Sequence, residues 1–337
     1  MPKDPLPLAA ETAAASAPRG RLPARRRALF AENTARIAAI DLGSNSFHLL
    51  VANVINGRLR IVTRRGVKVQ LAAGLDADGN LDEAAMQRGL KCLGQFAVMM
   101  GSMPRARRRI VGTNALRDAN NRHVFLQRAE ALLGYPIEVI PGREEARLIY
   151  LGAAQARAVN GRRFVLDIGG GSSECVIGER LTPRLLESLP LGCVTFSRRF
   201  FPDGALDETR MRAAEQAALA QLSRLQHYRE SGWDEVVGTS GTFNAVARVL
   251  NAYGDTPANG VITRAGVQRL RARVLRYSHL DALALKGLKA NRAGIFPAGV
   301  AIVCAIFATF EIEQIRFVDG ALREGILYDM LNATPDG

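Results

Sequence analysis

The chain has 337 residues, of which 48% are hydrophobic and 23% charged, and its formal net charge is +13. This length favours two domains of ordinary size. Four widely separated cysteines without paired spacing argue against a disulfide framework or a zinc site, and they favour a reducing, cytoplasmic compartment. The excess of basic residues favours a polyanionic partner, of which polyphosphate, nucleotides and nucleic acid are examples.

The N-terminal residues 1–36 are rich in Ala, Pro and Arg, and they include seven basic and three acidic residues. No periodic apolar face runs through them, so we predict a disordered, basic extension rather than a transit peptide. The last residues, 332–337, form a short tail. Neither segment contributes to the predicted core.

The first half of the remaining chain predicts three successive strands followed by alternating helices and strands. The predicted strands lie at 36–42, 46–54, 58–66, 109–113 and 136–140, and the helices at 82–101, 120–133 and from 144 onward. A meander that continues into alternating units is an α/β order. We therefore predict an α/β domain over residues 37–150.

The second half repeats this order over residues 151–331 with longer helices. The predicted strands lie at 163–168, 173–179, 184–190, 235–237 and 315–318, and the helices at 207–229, 243–250, 264–276, 294–310 and 321–331. The apolar stretch 294–310 falls short of the ~20 residues that a membrane span needs, so we predict a buried core helix and no membrane partner. The order predicts a duplicated fold with a cleft between its halves, and the last helix could pack back on the first half.

Each half carries an Asp-x-Gly turn between two predicted strands. The first turn is Asp41-Leu42-Gly43-Ser44-Asn45, the second runs from Asp167 to Glu174, and a third loop of small residues spans 238–242. Glycines and hydroxyl residues in such turns can present backbone N–H groups to an anion, and an aspartate at a strand end can hold a metal ion. Ligands of open α/β sheets bind beyond the carboxyl ends of the strands, where these loops converge. We predict two facing loops that hold a phosphate chain.

Three further features bear on chemistry. Glu144 and Glu145 fall in the first turn of a predicted helix, where a carboxylate can stabilise the helix or serve as a base that activates water. Arg117 ends a Thr-Asn-Ala-Leu-Arg segment after a strand and could bind phosphate or pair with a carboxylate. The four histidines are scattered, form no ligand pair, and are predicted to be structural.

With these residues assembled, the chain resembles the exopolyphosphatase and guanosine pentaphosphate phosphohydrolase (Ppx/GppA) family. The similar segments are 38–52, 111–120, 140–152, 165–179, 189–201, 236–242, 295–303 and 318–331, in the family's order. The resemblance implies duplicated actin-like domains of the ribonuclease H-like superfold with an interdomain cleft. It also implies Mg²⁺-dependent release of the terminal phosphate from inorganic polyphosphate or from guanosine pentaphosphate (pppGpp).

The resemblance further implies roles for individual residues. Glu145 is the implied base that activates the attacking water, and Asp167 and Glu174 are the implied catalytic carboxylates and metal ligands. The implied phosphate-binding residues are Asp41, Gly43, Ser44, Asn45, Arg117, Gly169, Gly170, Gly171, Ser172, Ser240 and Thr242. The second turn is therefore expected to carry the chemistry and the first to bind substrate.

Several alternatives remain open at this point. The leading expectation is an exopolyphosphatase, and pppGpp hydrolysis is the alternative, because both substrates present a terminal anhydride to the same loops. A non-catalytic sensor of these anions, or a kinase or chaperone of the same superfold, is a different class. We expect a homodimer and no nucleic-acid partner.

Overall fold

The computed structural model of the chain describes residues 35–157 and 159–332. The predicted extension 1–36 lies outside these residues except for Ala35 and Arg36, which begin the first strand. The predicted tail 332–337 also lies outside them, apart from Asn332 at the end of the last helix.

The first sheet forms from five strands in the order β3-β2-β1-β4-β5. These strands are β1 (Ala35–Leu42), β2 (Ser46–Ile55), β3 (Arg58–Lys68), β4 (Arg108–Gly112) and β5 (Glu138–Val139). Strands β1 to β3 are antiparallel neighbours, whereas β4 runs parallel to β1 and β5 parallel to β4. The helices of this half are α1 (Glu83–Met100), α2 (Asn114–Asp118), α3 (Arg122–Leu133) and α4 (Gly142–Ala156).

The second sheet has six strands in the order β10-β11-β9-β6-β7-β8. They are β6 (Arg162–Ile168), β7 (Ser173–Glu179), β8 (Thr182–Leu189), β9 (Glu235–Thr239), β10 (Val261–Thr263) and β11 (Gln314–Phe317). Read from β8 to β11, the order and strand directions repeat those of the first sheet, with a meander followed by two parallel strands. This repetition confirms the predicted α/β class of duplicated actin-like domains.

Seven α-helices follow β8 in the part of the chain that the structure describes. They are α5 (Cys193–Phe200), α6 (Glu208–Leu222), α7 (Tyr228–Ser231), α8 (Ser240–Tyr253), α9 (Arg264–Val274), α10 (Phe296–Phe310) and α11 (Leu322–Asn332). The predicted helix 207–229 is interrupted, because α6 ends at Leu222 and a short 3-10 turn precedes α7. Helix α5 and strand β10 were not predicted.

The apolar segment near residue 300 is a core helix, as predicted. In the part of the chain that the structure describes, Ala290–Phe310 is long and apolar enough to cross a membrane by length and composition alone, yet 72% of its most apolar window is buried. Helix α10 packs against α6 and α9 inside the second half. Its apolar surface is therefore used within this fold.

Two helices cross between the halves. Helix α4 packs on the second sheet at β7 and β8, and α11 lies against both α4 and β1. The predicted boundary between residues 150 and 151 thus falls inside the continuous helix α4. The crossing requires close backbone approach, because a Cβ on Gly152 would overlap the Ala321 carbonyl and one on Gly325 would overlap the Leu148 carbonyl. This crossing fixes the N-terminus of α4 beside the cleft.

Candidate active site

The cleft holds a cavity of about 290 Å³ between the two sheets, here named the carboxylate cavity. Its acidic lining residues are Asp41, Glu145, Asp167 and Asp319. Strand ends explain part of this convergence. Asp41 lies near the end of β1 and pairs in register with His48, and Asp167 lies near the end of β6 and pairs with Glu174.

Glu145 enters the cavity from the first turn of α4 and is only 7% exposed. Its Oε2 accepts a hydrogen bond from Arg117 Nη1 at 2.6 Å, and the same guanidinium nitrogen donates to Ile140 O at 3.0 Å. Burial raises the pKa of Glu145, and the charge of Arg117 opposes that rise. A buried carboxylate with a raised pKa and one fixed cation has the properties of a general base.

The adjacent Glu144 faces the other way. It pairs with Arg147 at 2.7 Å, and Arg147 and Arg109 both contact Asp329 of α11. This network lies on the outer side of α4 and joins that helix to α11. The two neighbouring glutamates therefore separate into one that lines the cavity and one that anchors the helix.

The remaining acidic groups are crowded. Burial raises the pKa of Asp41 to about 8, with the charge of Glu145 as the next cause, and it raises the pKa of Asp167 to about 7 in the same way. The pKa of Glu174 is also raised by burial and then by Glu145 and Asp167. Asp41 Oδ1 is buried without a hydrogen-bond partner. Buried carboxylates that raise one another's pKa favour a bound cation.

Basic residues that were not predicted balance this charge. Arg292, in a 3-10 turn before α10, and Arg323, in the first turn of α11, both line the cavity. His48 also lines it; burial lowers its pKa to about 3, so its neutral Nδ1 accepts from Arg323 Nη1 at 3.2 Å. Arg323 falls inside the family-like segment 318–331, but nothing in that segment distinguished it from the chain's other arginines.

Of the other predicted residues, Asn45, Gly169 and Ser240 line the carboxylate cavity. The Asn45 Oδ1 is buried without a partner. The N–H of Gly169 is not available to a ligand, because it donates to Ser172 O at 2.9 Å within its own turn. Ser240 adopts a φ of 69°, uncommon for a residue other than glycine, and its hydroxyl donates to Ile168 O at 2.9 Å.

The two Asp-x-Gly turns meet edge to edge rather than across open space. A Cβ on Gly170 would lie 3.0 Å from Ser44 Cβ, and one on Gly171 would overlap Asn114 Oδ1. Gly43 belongs to the same first turn, where a Cβ would lie 2.9 Å from Ser46 O. The structure thus brings both turns together beside the cavity, with Gly43, Gly170 and Gly171 behind its lining.

Four predicted side chains hold the framework of the site. The Ser44 hydroxyl accepts from Ala115 N at 3.2 Å, and Thr242 Oγ1 donates to Ile168 O at 3.0 Å. The Ser172 hydroxyl hydrogen-bonds to Glu174, and Glu174 Oε1 accepts from Ser188 Oγ at 2.8 Å. None of these four lines the cavity within the described residues. The charges of Glu145 and Asp167 act on Glu174 and raise its pKa.

The carboxylate oxygens in the cavity are donors of the kind that Mg²⁺ prefers. Among the described residues no group of three His, Cys, Asp or Glu side chains is close enough to enclose a metal ion. Mg²⁺ needs no such cage, because it keeps several waters and binds through one or two carboxylates together with substrate phosphates. The orphaned Asp41 Oδ1 and the neighbouring Asp167 fit that demand.

Comparison with known proteins places the chain in a family. The sequence model of the Ppx/GppA phosphatase family matches residues 50–334 of this chain. A Haemophilus influenzae protein provisionally named exopolyphosphatase is 42% identical over 88% of this chain and 92% of its own length. The chain belongs to the Ppx/GppA phosphatase family. It is therefore an enzyme of the phosphatase class.

Other members of the Ppx/GppA family differ in length and name. The guanosine-5'-triphosphate,3'-diphosphate pyrophosphatase of Vibrio vulnificus is 45% identical over 90% of this chain, which spans only 60% of that protein. Among solved structures, the Aquifex aeolicus family member has a TM-score of 0.74 at 27% identity, covering 89% of this chain and 100% of its own. The exopolyphosphatase of Cytophaga hutchinsonii has a TM-score of 0.78 at 25% identity, covering 88% and 98%.

The buried, ionised carboxylate of Asp41 is expected to lower the stability of the folded protein. Because the folded state raises the pKa of Asp41 from 3.8 to about 8, the folded chain binds more protons than the unfolded chain between these values, and stability falls as pH rises through them. In a buffer without divalent cations, Asp41→Asn should remove this loss and stabilise the protein by roughly 2 kcal/mol at pH 8. We expect the midpoint of thermal unfolding to rise by about 5 °C.

A matched variant tests the cause of that gain. Asp78→Asn changes an exposed aspartate on a surface turn and should leave the unfolding midpoint unchanged at every pH. Scanning calorimetry across pH 5 to 8 measures both variants. Equal midpoints for Asp41→Asn and the parent at pH 8 would contradict the assigned electrostatic strain.

Proposed function

We propose that this chain is an exopolyphosphatase, which hydrolyses the terminal phosphoanhydride of linear polyphosphate and releases orthophosphate. The observation that carries the proposal is Glu145, a buried carboxylate in the cavity whose position is fixed by Arg117 at 2.6 Å. Family membership and the names of the relatives support a phosphoanhydride substrate. A merely binding sensor of such anions would need no buried base.

In the proposed reaction, Glu145 orients a water and accepts one of its protons as the water oxygen bonds to the terminal phosphorus. The anhydride P–O bond breaks, and its electron pair leaves on the oxygen of the shortened chain. Arg292 and Arg323 neutralise phosphate oxygens at the cavity wall. Their guanidinium groups suit bidentate phosphate contacts.

Arg117 has a second task in this scheme. While it donates to Glu145, it lowers the proton affinity of the base. A terminal phosphate that draws part of this guanidinium toward itself would raise that affinity at the moment the proton must transfer. The resemblance implies that Arg117 binds phosphate, and its contact with Glu145 adds this second role.

Mg²⁺ is the proposed cofactor, and Asp41 and Asp167 would hold it. When bound, it would neutralise phosphate charge and polarise the anhydride. Glu174, also expected as a ligand, does not line the cavity within the described residues and would act on Asp167 through its charge.

The alternative function is hydrolysis of pppGpp to ppGpp, which the names of the Vibrio vulnificus and Aliivibrio fischeri relatives support. One assay separates the two functions. Purified protein with Mg²⁺ is supplied with polyphosphate, pppGpp or both, and released orthophosphate is measured. We expect the higher kcat/KM with polyphosphate; turnover confined to pppGpp would assign the alternative, and binding without turnover would indicate a sensor.

Three accompanying expectations stay predictions. These are a homodimer, a cytoplasmic location and the absence of membrane and nucleic-acid partners. The four cysteines are free, as a reducing compartment allows.

A further inference from the structure

The first sheet ends in a long strand that has no partner on its outer side. Strand β3 pairs with β2 alone in the part of the chain that the structure describes. The other sheet edges are short or covered, because β5 and β10 have two and three residues and the eight-residue β8 packs against α4. The N–H and C=O groups of an open edge form a template for a further strand. We name the outward side of Arg58–Arg65 the β3 edge.

A tight hairpin holds β3 in register with β2. Asn56 and Gly57 connect the two strands, and their φ values are 51° and 74°. Positive φ at both central residues is what the favoured two-residue hairpin turn requires. The pairing then starts at Ile55 opposite Arg58 and extends along the whole of β3, with one shift in register. The side chains of the β3 edge are therefore presented by a paired strand and not by a loop.

Two apolar side chains are exposed in the middle of the β3 edge. Ile61 is 40% exposed, and Val62, which the register shift leaves without a partner residue on β2, is 50% exposed. Both side chains are β-branched and suit packing on a pleated surface. Their exposed surface offers apolar contact to an added strand.

Basic residues flank this apolar pair, and no acidic residue lies on the strand. Arg58 and Arg60 precede the pair, and Arg65 follows it. All three are exposed, and within the described residues none has an ion pair or a side-chain hydrogen bond. Arg64, by contrast, pairs with two carboxylates of the second half at 3.2 and 3.1 Å. The three exposed guanidinium groups thus retain their charge for a partner.

The register sorts these side chains onto two faces. Arg60 and Arg65 pair with Asn53 and Leu49, which are four residues apart on β2 and so lie on one face of the sheet. Ile61, next to Arg60 on the strand, lies on the opposite face. An added strand therefore meets basic charge on one face and an apolar side chain on the other.

This charge selects among the possible occupants. A second copy of the chain would bring its own arginines against these, and like charges on facing strands are destabilising. Residues 1–34 of the chain are also net basic, with six basic and three acidic residues. A segment that alternates acidic and apolar residues complements both faces of the β3 edge.

We propose that the β3 edge binds an extended acidic segment of a protein partner, which joins the first sheet as a sixth strand. Backbone hydrogen bonds supply affinity in such an addition, and alternate side chains supply specificity. Carboxylates of the added strand contact Arg60 and Arg65, and its apolar residues contact Ile61. This partner site lies on the outer edge of the first sheet and goes beyond the proposed hydrolysis.

Isothermal titration calorimetry with a synthetic nonapeptide of alternating glutamate and valine tests the proposal. The parent chain should bind this peptide with a micromolar Kd. The double variant Arg60→Glu, Arg65→Glu should raise that Kd by about tenfold or more, because it turns two attractive cross-strand pairs into repulsive ones. The matched control is Arg224→Glu with Arg276→Glu, which changes two exposed arginines of the second half that also have no ion pair within the described residues. It should leave the Kd unchanged.

A charge swap and amide hydrogen exchange locate the contact. A nonapeptide with lysine in place of glutamate should bind the double variant and not the parent. The glutamate peptide should also slow amide exchange in residues 58–65 of the parent. Absence of binding by the parent would overturn the inference, and so would equal binding of an isomeric peptide with its glutamates grouped at one end or of a single-stranded DNA oligonucleotide. Protection of these amides that grows with protein concentration alone would assign the β3 edge to a second copy and would overturn it too.

Discussion

Glu145→Gln should lower kcat for polyphosphate by about 10³-fold and change KM by less than about threefold. The substitution keeps the size of the side chain and can still accept from Arg117, so the site should remain assembled. It removes the group that takes the proton of the attacking water. Initial rates of orthophosphate release under saturating substrate and Mg²⁺ measure the effect.

The pH profile gives a second readout. The acid limb of kcat in the parent enzyme should report the raised pKa of Glu145, because only the ionised carboxylate can accept a proton. Activity therefore rises as pH increases through that pKa. Asp41 and Asp167 also have raised pKa values and contribute to the acid limb, so Glu145→Gln should shift the midpoint of the limb rather than abolish it. A merely structural role for Glu145 would leave the limb unchanged.

Glu144→Gln is the matched control, since it alters the adjacent residue of the same helix turn. Its carboxylate pairs with Arg147 on the outer side of α4. We expect a small loss of stability, of about 1 kcal/mol or less, and near-parental kcat. A kcat for Glu145→Gln above a third of the parental value would show that another group activates the water.

The duplicated architecture was predictable because each half repeats the same local signals. A pair of apolar strands joined by an Asp-x-Gly turn occurs once in each half. The structure confirms two sheets with matching strand order. Strand β10 escaped prediction because its three residues are held in place by β11, not by a local pattern. Helix α5 begins where its first N–H groups meet the carbonyls of Gly169 and Gly170, a contact that depends on the folded turn.

The acidic half of the site was more predictable than its basic half. Glu145, Asp41 and Asp167 are marked by strand ends and a helix start, and the structure brings all three to one cavity. Arg292 and Arg323 reach the cavity from segments late in the chain. They could not be singled out from the sequence, because the chain has 45 Lys and Arg residues. The contact of Arg117 with Glu145 likewise depends on how α2 meets α4, which no local pattern encodes.

Asp167→Asn should reduce kcat by about 10³-fold and weaken the apparent affinity for Mg²⁺, because it removes one of the two cavity carboxylates that we propose as ligands of the cation. Titration of Mg²⁺ at saturating polyphosphate separates these effects. Raised Mg²⁺ should restore part of the activity if affinity is the main loss. No change in the Mg²⁺ dependence would contradict the assigned role.

Glu174→Gln is the informative comparison, because Glu174 pairs in register with Asp167 on the next strand and yet lies behind the cavity lining. Its Oε1 accepts from Ser188, and burial and then the charges of Glu145 and Asp167 raise its own pKa. Because Glu174 supports the neighbouring carboxylates without lining the cavity, its loss should cost about tenfold in kcat. If Glu174→Gln proves as damaging as Asp167→Asn and shifts the Mg²⁺ dependence equally, Glu174 binds the ion directly. In that case the side chain must turn from Ser188 into the cavity when the ion binds. The paired variants therefore distinguish a carboxylate that holds the cation from one that supports it.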